Sequence, residues 1–127
     1  MPDKKDIENR EDLLMLVQQF YIKLLADNSI SYLFTDIAKI NQEHHFPVLV
    51  DFWDSVLFQT GTYQKNAMQP HLVLHQKSPL TKYHFETWLR YFKATVDELF
   101  TGGNALIIKE RATSIATVMQ IKTIQLN

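Results

Sequence analysis

Residues 78–100, SPLTKYHFETWLRYFKATVDELF, decide the fold class of this chain. Ser78 and Pro79 form a favourable helix start, because serine caps free backbone N–H groups and proline fits the first helical position. Gly102-Gly103 follows and is a usual helix end. The stretch therefore predicts one helix of about 22 residues, roughly 33 Å long. Its buried side is marked by apolar residues at helical spacing: Phe85, Trp88, Leu89, Phe92, Val96 and Leu99.

Three other segments show the same helical periodicity. Asn9 and Asp12 form a capping-box variant at the start of the first. In the second, Pro47 is expected in the first turn, where its missing N–H costs nothing, and Gly61 ends the element. The three segments cover about residues 10–27, 43–59 and 104–123.

Between these helices the pattern is less regular. A short helical turn is expected from Tyr32 to Phe34, and residues 61–78 are expected to be mostly irregular, with room for one or two helical turns around His71. No segment shows the period-2 alternation of a strand. The sequence thus predicts an all-α fold with a long irregular middle, and long loops inside compact domains are usually functional.

Composition limits the functional class. A chain of 127 residues fits a single domain, and we expect residues 1–9 to be a flexible N-terminal extension. The 13 basic and 14 acidic residues form no basic stripe, which argues against nucleic acid as a partner. There is no apolar run of about 18 residues, so no membrane helix is expected. Residues 1–12 are too polar for a signal peptide, and the expected location is the cytoplasm.

Histidine is the first residue type to consider for chemistry, because neutral imidazole is a common ligand of iron, zinc and copper. His71 and His75 are four residues apart, so one helical turn could direct both at a zinc ion. A zinc hydrolase would also need a glutamate between them or a third ligand nearby, and residues 72–74 are Leu-Val-Leu. Zinc is therefore an alternative with little support. The chain has five histidines: His44, His45, His71, His75 and His84.

Several short motifs, read in order, resemble the third group of truncated haemoglobins. The motifs are Phe20-Tyr21, Phe34 at the next bend, His45 ahead of Phe52-Trp53, the lone Pro70-His71-Leu72, and Phe85 to Leu89, which includes Trp88. Together they span about residues 10–120. Truncated haemoglobins of the first two groups have glycine pairs near the ends of their first two helices, and this chain lacks a pair at both places.

The resemblance implies a two-over-two helical sandwich around a haem. His71 would be the proximal iron ligand, and Tyr21, His45 and Trp88 would face a small ligand on the opposite side, beside Leu49. No cysteine is present, so the haem would be a non-covalent haem b. Residues expected to contact it are Phe34, Leu49, Phe52, Trp53, Leu72, His75 and Tyr83.

Hydrogen-bond donors around the ligand favour slow release. Tyr21, His45 and Trp88 each offer one donor to a diatomic ligand such as oxygen, nitric oxide or carbon monoxide. We therefore expect a ligand-binding haem protein, suited to retention, sensing or chemistry more than to oxygen transport. Two alternatives stay open. One is a haem enzyme for nitric oxide dioxygenation or peroxidase-like turnover with an external reductase, and the other is a haem-free helical interaction module.

Overall fold

The computed structural model of the chain describes residues 4–61 and 68–125. Every regular element in these residues is helical, which confirms the predicted all-α class. Across the same residues, no helix combines the length and the apolar composition that a membrane span requires. The elements are α1 (Arg10–Ala26), α2 (Asn28–Tyr32), a π-helical turn (Leu33–Ile37), α3 (Gln42–Phe58), α4 (Met68–Lys77), α5 (Lys82–Leu99) and α6 (Gly103–Gln125).

Two pairs of helices form the body of the molecule. Helix α1 packs on α3, α5 packs on α6, and the pairs meet where α1 contacts α5 and α3 contacts α6. This arrangement is the predicted two-over-two sandwich. Helix α4 packs instead on α6 and on the π-helical turn, and no comparably close packing joins it to α3 within the described residues.

Asparagine residues set the starts of α1 and α3. The Asn9 side chain accepts a hydrogen bond from the backbone N–H of Asp12, as the sequence predicted, and Asn41 accepts one from the N–H of Glu43. The prediction for Pro47 was wrong, because α3 begins at Gln42 and the proline lies in its second turn. Its missing N–H leaves the carbonyl of Glu43 without the usual helical donor, and both residues are exposed, so water can replace that donor.

Helix α5 begins later than predicted. Ser78 and Pro79 do not start it; Thr81 is the N-cap and Lys82 the first helical residue. The reason is a reciprocal capping box, in which the Thr81 hydroxyl accepts from the N–H of His84 at 3.3 Å and His84 Nδ1 accepts from the N–H of Thr81 at 3.0 Å. The two backbone N–H groups that the capping box satisfies stabilise a helix start at Lys82 more than the preference of Pro79 for a first helical position stabilises an earlier start.

The middle of the chain is more helical than expected. Helix α4 has ten residues, nearly three turns, and includes His71. Residues 62–67, the rest of the predicted irregular segment, lie outside the described residues. Helix α3 ends at Phe58, where Gln59 takes a left-handed conformation and precedes Gly61, so the predicted stop is confirmed.

The segment before α1 makes contacts that a flexible extension would not make. Ile7 is fully buried in the core, and the N–H of Thr101 donates to the carbonyl of Lys5 at 2.9 Å. The Asp6 carboxylate accepts from the N–H groups of Asn104 and Ala105, each at 2.9 Å, and so caps the start of α6. Residues 4–9 thus join the α5–α6 corner to α1, while residues 1–3 lie outside the described part of the chain.

The turn between α5 and α6 depends on a glycine. Helix α5 ends at Leu99 with Phe100 as its C-cap, two residues before the glycine pair that was expected to end it. Gly102 has a φ of +135°, and a Cβ added there would lie 2.6 Å from Cγ of Asp6. Gly103 has nothing within 4 Å of such a Cβ. Only the first glycine is therefore required by both the backbone and the close approach of Asp6.

We expect Gly102→Ala to destabilise the protein by about 2–4 kcal/mol, because it adds backbone strain and displaces the carboxylate that caps α6. Gly103→Ala is the matched control and should change stability by less than about 1 kcal/mol. Urea unfolding followed by circular dichroism measures both. Equal midpoints for the two variants would contradict the assigned role of Gly102.

Candidate functional site

A buried tyrosine and a half-buried histidine form the polar centre of the candidate site. Helix α1 directs Tyr21 inward with 4% exposure, and the first turn of α3 places His45 beside it. The Tyr21 hydroxyl and His45 Nε2 are 2.8 Å apart, a hydrogen-bond distance. Three phenylalanine rings meet the Tyr21 ring edge-on at centroid distances of 5.6, 5.5 and 5.0 Å: Phe20, Phe34 and Phe46. The polar pair is thus enclosed by aromatic surface on the side of α1.

Both members of the pair are neutral near pH 7. Burial raises the pKa of the Tyr21 hydroxyl far above its ordinary value, so the phenol stays protonated. Burial also lowers the pKa of His45, and a positive charge on the nearby His71 lowers it further. In the His45 tautomer that has its proton on Nδ1, the Tyr21 hydroxyl donates to Nε2. In the other, Nε2–H donates to the Tyr21 oxygen, which leaves the phenol proton free for a third group.

Trp88 belongs to the same aromatic cluster. Its ring meets Phe20 edge-on at 5.7 Å and stacks on Phe92 at 5.5 Å with an interplanar angle of 7°. Phe20 therefore contacts both Tyr21 and Trp88. Trp88 is only half-buried, and its indole N–H has no protein acceptor within residues 4–61 and 68–125. The N–H is consequently able to serve as a donor to a small ligand.

His71 approaches this cluster from α4. It is half-buried, and its charge is close enough to His45 to affect the pKa of that residue. The two imidazoles are therefore close to each other, although α3 and α4 are not closely packed in the described residues. In the part of the chain that the structure describes, no three His, Asp or Glu side chains gather as a metal-binding group. The zinc alternative therefore gains no support from the structure.

Half-buried apolar side chains extend the site beyond its polar centre. Phe34, Leu49 and Phe52 lie at the margin of the core and pack against it without being covered. Leu72, next to His71, is also half-buried. Incomplete burial of so much apolar and aromatic surface is unfavourable in water, and it is typical of a pocket for a flat apolar molecule.

Three residues expected at the cofactor have other surroundings. Trp53 is only 4% exposed and stacks on Phe92 at 5.0 Å, so it is part of the core. His75 is buried, and its Nδ1 accepts from the N–H of Leu80 at 2.9 Å, which fixes the turn after α4. Tyr83 is half-exposed, with its hydroxyl 2.7 Å from that of Ser29. These contacts give each side chain a structural role and do not bring it to the Tyr21–His45 pair.

Sequence reasoning missed one residue of the site. Phe46 packs on the Tyr21 ring at 5.0 Å and is 8% exposed. Its position directly after His45 was the available signal, but adjacent residues of a helix point about 100° apart, and this made Phe46 look unrelated to the ligand face. The structure shows that it closes one side of the tyrosine.

We expect His45 to titrate below its ordinary pKa of 6.5 in protein without added cofactor. His71→Ala should raise the pKa of His45, because removing a nearby positive charge favours protonation. Lys77→Ala removes an exposed cation from the same helix and serves as the control. Proton NMR of the imidazole C–H resonances against pH measures these values. A pKa of His45 that is the same with and without His71 would contradict their proximity.

Comparison with known proteins agrees with the motifs and the fold. No protein-family model matches the chain. A curated relative, "Group 3 truncated hemoglobin ctb" of Campylobacter jejuni, is 26% identical over 115 residues, which are 88% of each chain. The crystal structure of a group III truncated hemoglobin from Campylobacter jejuni superposes with a TM-score of 0.83 at 24% identity, covering 95% of each chain. The chain thus has the truncated-haemoglobin fold, and its resemblance to the group III truncated haemoglobins is confirmed.

Proposed function

We propose that this protein binds a haem without covalent attachment, with His71 as the proximal ligand, and retains a diatomic molecule on the opposite face. The observation that supports this most directly is the 2.8 Å contact between Tyr21 and His45, neutral and enclosed by aromatic rings, with His71 close to it on another helix. Both relatives are named as truncated hemoglobins, which supports the same proposal.

The residues present fit a haem by their chemistry. His71 supplies one imidazole on α4, and the half-buried side chains Phe34, Leu49 and Phe52 supply an apolar wall. These side chains come from α4, α3 and the π-helical turn, and α3 and α4 are not closely packed against each other in the described residues. Since the sequence has no cysteine, packing and axial ligation would hold the group alone. A haem b satisfies this requirement.

A bound haem would be held through the His71 imidazole and would supply an iron centre that can bind a diatomic ligand. Tyr21, His45 and Trp88 would then line the ligand side. Each presents a single N–H or O–H donor beside aromatic rings, and the burial of Tyr21 makes its hydrogen bond stronger than one in water. The residues that exclude water are the rings around Tyr21, namely Phe20, Phe34 and Phe46.

Donors in such a pocket determine the rate of release. A hydrogen bond to a charge-bearing acceptor contributes about 1.5–3 kcal/mol, which is roughly ten- to a hundredfold in an equilibrium constant. His45 donating to the Tyr21 oxygen would direct the phenol proton toward the ligand, so the two residues would act as one unit. The protein is consequently suited to retention, sensing or chemistry on the ligand, and turnover would require an external reductant.

Purified protein reconstituted with haemin should show a Soret band, and His71→Ala should lose it because the axial imidazole is absent. Added imidazole should restore the band in the variant, since the small molecule can occupy the same position. Binding to the unaltered protein should weaken in acid, because a ligating imidazole must be deprotonated.

His44→Ala removes an exposed histidine and should leave the spectrum unchanged. Far-ultraviolet circular dichroism verifies that the His71→Ala chain is folded. Haem affinity and spectrum equal to those of the unaltered protein in His71→Ala would refute the proposed ligation.

Tyr21→Phe and Trp88→Leu should each speed the release of oxygen about ten- to a hundredfold, since each removes one donor from the ligand side. Stopped-flow displacement by carbon monoxide measures the rate. Tyr91→Phe is the matched control, because its hydroxyl donates to Asp27 at 2.6 Å, outside the aromatic cluster. Release rates unchanged in both site variants would remove Tyr21 and Trp88 from the ligand shell.

A further inference from the structure

Two histidines hold the turn between α4 and α5. The backbone N–H of Leu80 donates to Nδ1 of His75 at 2.9 Å, and the next N–H, that of Thr81, donates to Nδ1 of His84 at 3.0 Å. His75 belongs to α4 and His84 to the first turn of α5, and both side chains are buried. Two successive backbone donors of one turn are therefore paired with one imidazole from each flanking helix.

The ring proton of neutral His84 lies on Nε2. Because Nδ1 accepts from the Thr81 N–H, the single ring proton of a neutral imidazole must be on the other nitrogen. Nε2 is 3.0 Å from the hydroxyl of Tyr32 on α2, so Nε2–H donates to the Tyr32 oxygen. His84 thus caps α5 through one nitrogen and connects the start of α5 to α2 through the other.

A second proton on His84 is incompatible with the capping box. An imidazolium carries a proton on both nitrogens, so Nδ1–H would face the Thr81 N–H, and two donors cannot pair. The Thr81 hydroxyl, 3.3 Å from Nδ1, can accept the new proton, but the Thr81 N–H then loses its acceptor. The positive charge would also lie in the first turn of α5, where the helix dipole disfavours a cation. Nε2–H can keep its bond to Tyr32 in both states, so the change is confined to the cap.

The surroundings of His84 also oppose its protonation. Burial lowers the pKa of His84 below its ordinary value, and no charged side chain in the described residues contributes to that shift. The titratable side chains in ring contact with His84 are Tyr32 and Tyr83, at centroid distances of 5.9 and 6.2 Å. The charged residues Lys82 and Glu86 of the same helix pair with each other at 3.6 Å and are exposed. Burial and hydrogen bonding therefore control the protonation state of His84.

We propose that His84 is an acid-sensitive cap for the first turn of α5. Neutral His84 completes the capping box with Thr81 and keeps this turn closed. Protonated His84 releases the Thr81 N–H, which water can then bind because Thr81 is exposed, and the first turn of α5 frays. Trp88 lies one turn after His84, so the segment that loosens leads into the aromatic cluster of the candidate site. This response belongs to the folded chain itself and requires no cofactor.

Acid should remove the stability that this cap contributes. The pKa of His84 is lower in the folded chain than in the unfolded chain, so the unfolded chain binds the proton more readily. The contribution of the cap is therefore complete above the unfolded pKa of about 6.5 and is lost as the pH falls through the folded pKa.

His84→Gln separates the cap from its titration, because glutamine at the third helical position completes a capping box but does not titrate. His44→Gln is the matched control, since His44 occupies the third position of α3 and is exposed. Urea midpoints are measured between about pH 7.5 and about pH 5. We expect the unaltered chain and His44→Gln to lose stability alike toward acid, and His84→Gln to lose less. The same pH dependence in all three chains would overturn the proposal.

Amide hydrogen exchange in the unaltered full chain, followed by NMR, tests the cap itself. The protection of the Thr81 N–H should fall at least about tenfold toward acid, with the same midpoint as the imidazole C–H resonances of His84. The N–H of Phe92, in the middle of α5, should keep its protection. In His84→Gln the Thr81 N–H should stay protected at every pH. Protection of Thr81 that stays constant while His84 titrates in the unaltered chain would show that His84 is not the acid-sensitive cap.

Discussion

The edge-on contacts of the Phe20 ring hold the core of the molecule together. It lies on α1, and its edge contacts reach Tyr21 on the same helix and both Trp88 and Phe92 on α5 at 5.2–5.7 Å. Phe92 in turn stacks on Trp53 of α3. One continuous aromatic cluster therefore joins three helices. Because aromatic pairs prefer edge-to-face and offset geometries, it fixes the angles between the helices as well as their distances.

The same cluster supplies the walls of the candidate site. Tyr21 is held in one orientation by rings on three sides, so its hydroxyl has little freedom and is directed to His45. Burial keeps both groups neutral, which preserves a donor on each. A site built in this way relies on rigid orientation and low polarity around a few donors, and these conditions strengthen a hydrogen bond to a developing charge.

Helices α4 and α6 show how the fold positions His71. Helix α4 packs on α6 and on the π-helical turn, and its His71 is half-buried and close enough to His45 of α3 to lower the pKa of that residue. Helix α6 also packs on α5, so it connects the helix that carries His71 to the helix that carries Trp88.

The sequence by itself determined the helical class and most helix positions, because apolar periodicity and caps are local properties. Asn9 and Gly61 acted as predicted for that reason. The order of the motifs along the sequence also identified Tyr21, His45 and Trp88 as candidate site residues. Their placement around one ligand was an expectation from the resemblance. Local signals predicted the wrong start for α5, because the helix-start signals at Pro79 and Thr81 compete. They also gave the wrong position for Pro47, because the exposed second turn of α3 tolerates a proline.

Tertiary structure decided which aromatic residues are core and which border the site. Trp53 and Phe52 are neighbours in sequence, yet only Trp53 is covered, since α3 turns it toward Phe92. The roles of His75, Tyr83 and Phe46 depend on contacts between separate elements, such as the turn after α4 and the edge of α2. Periodicity specifies which side of a helix is apolar, but only packing specifies what that side meets.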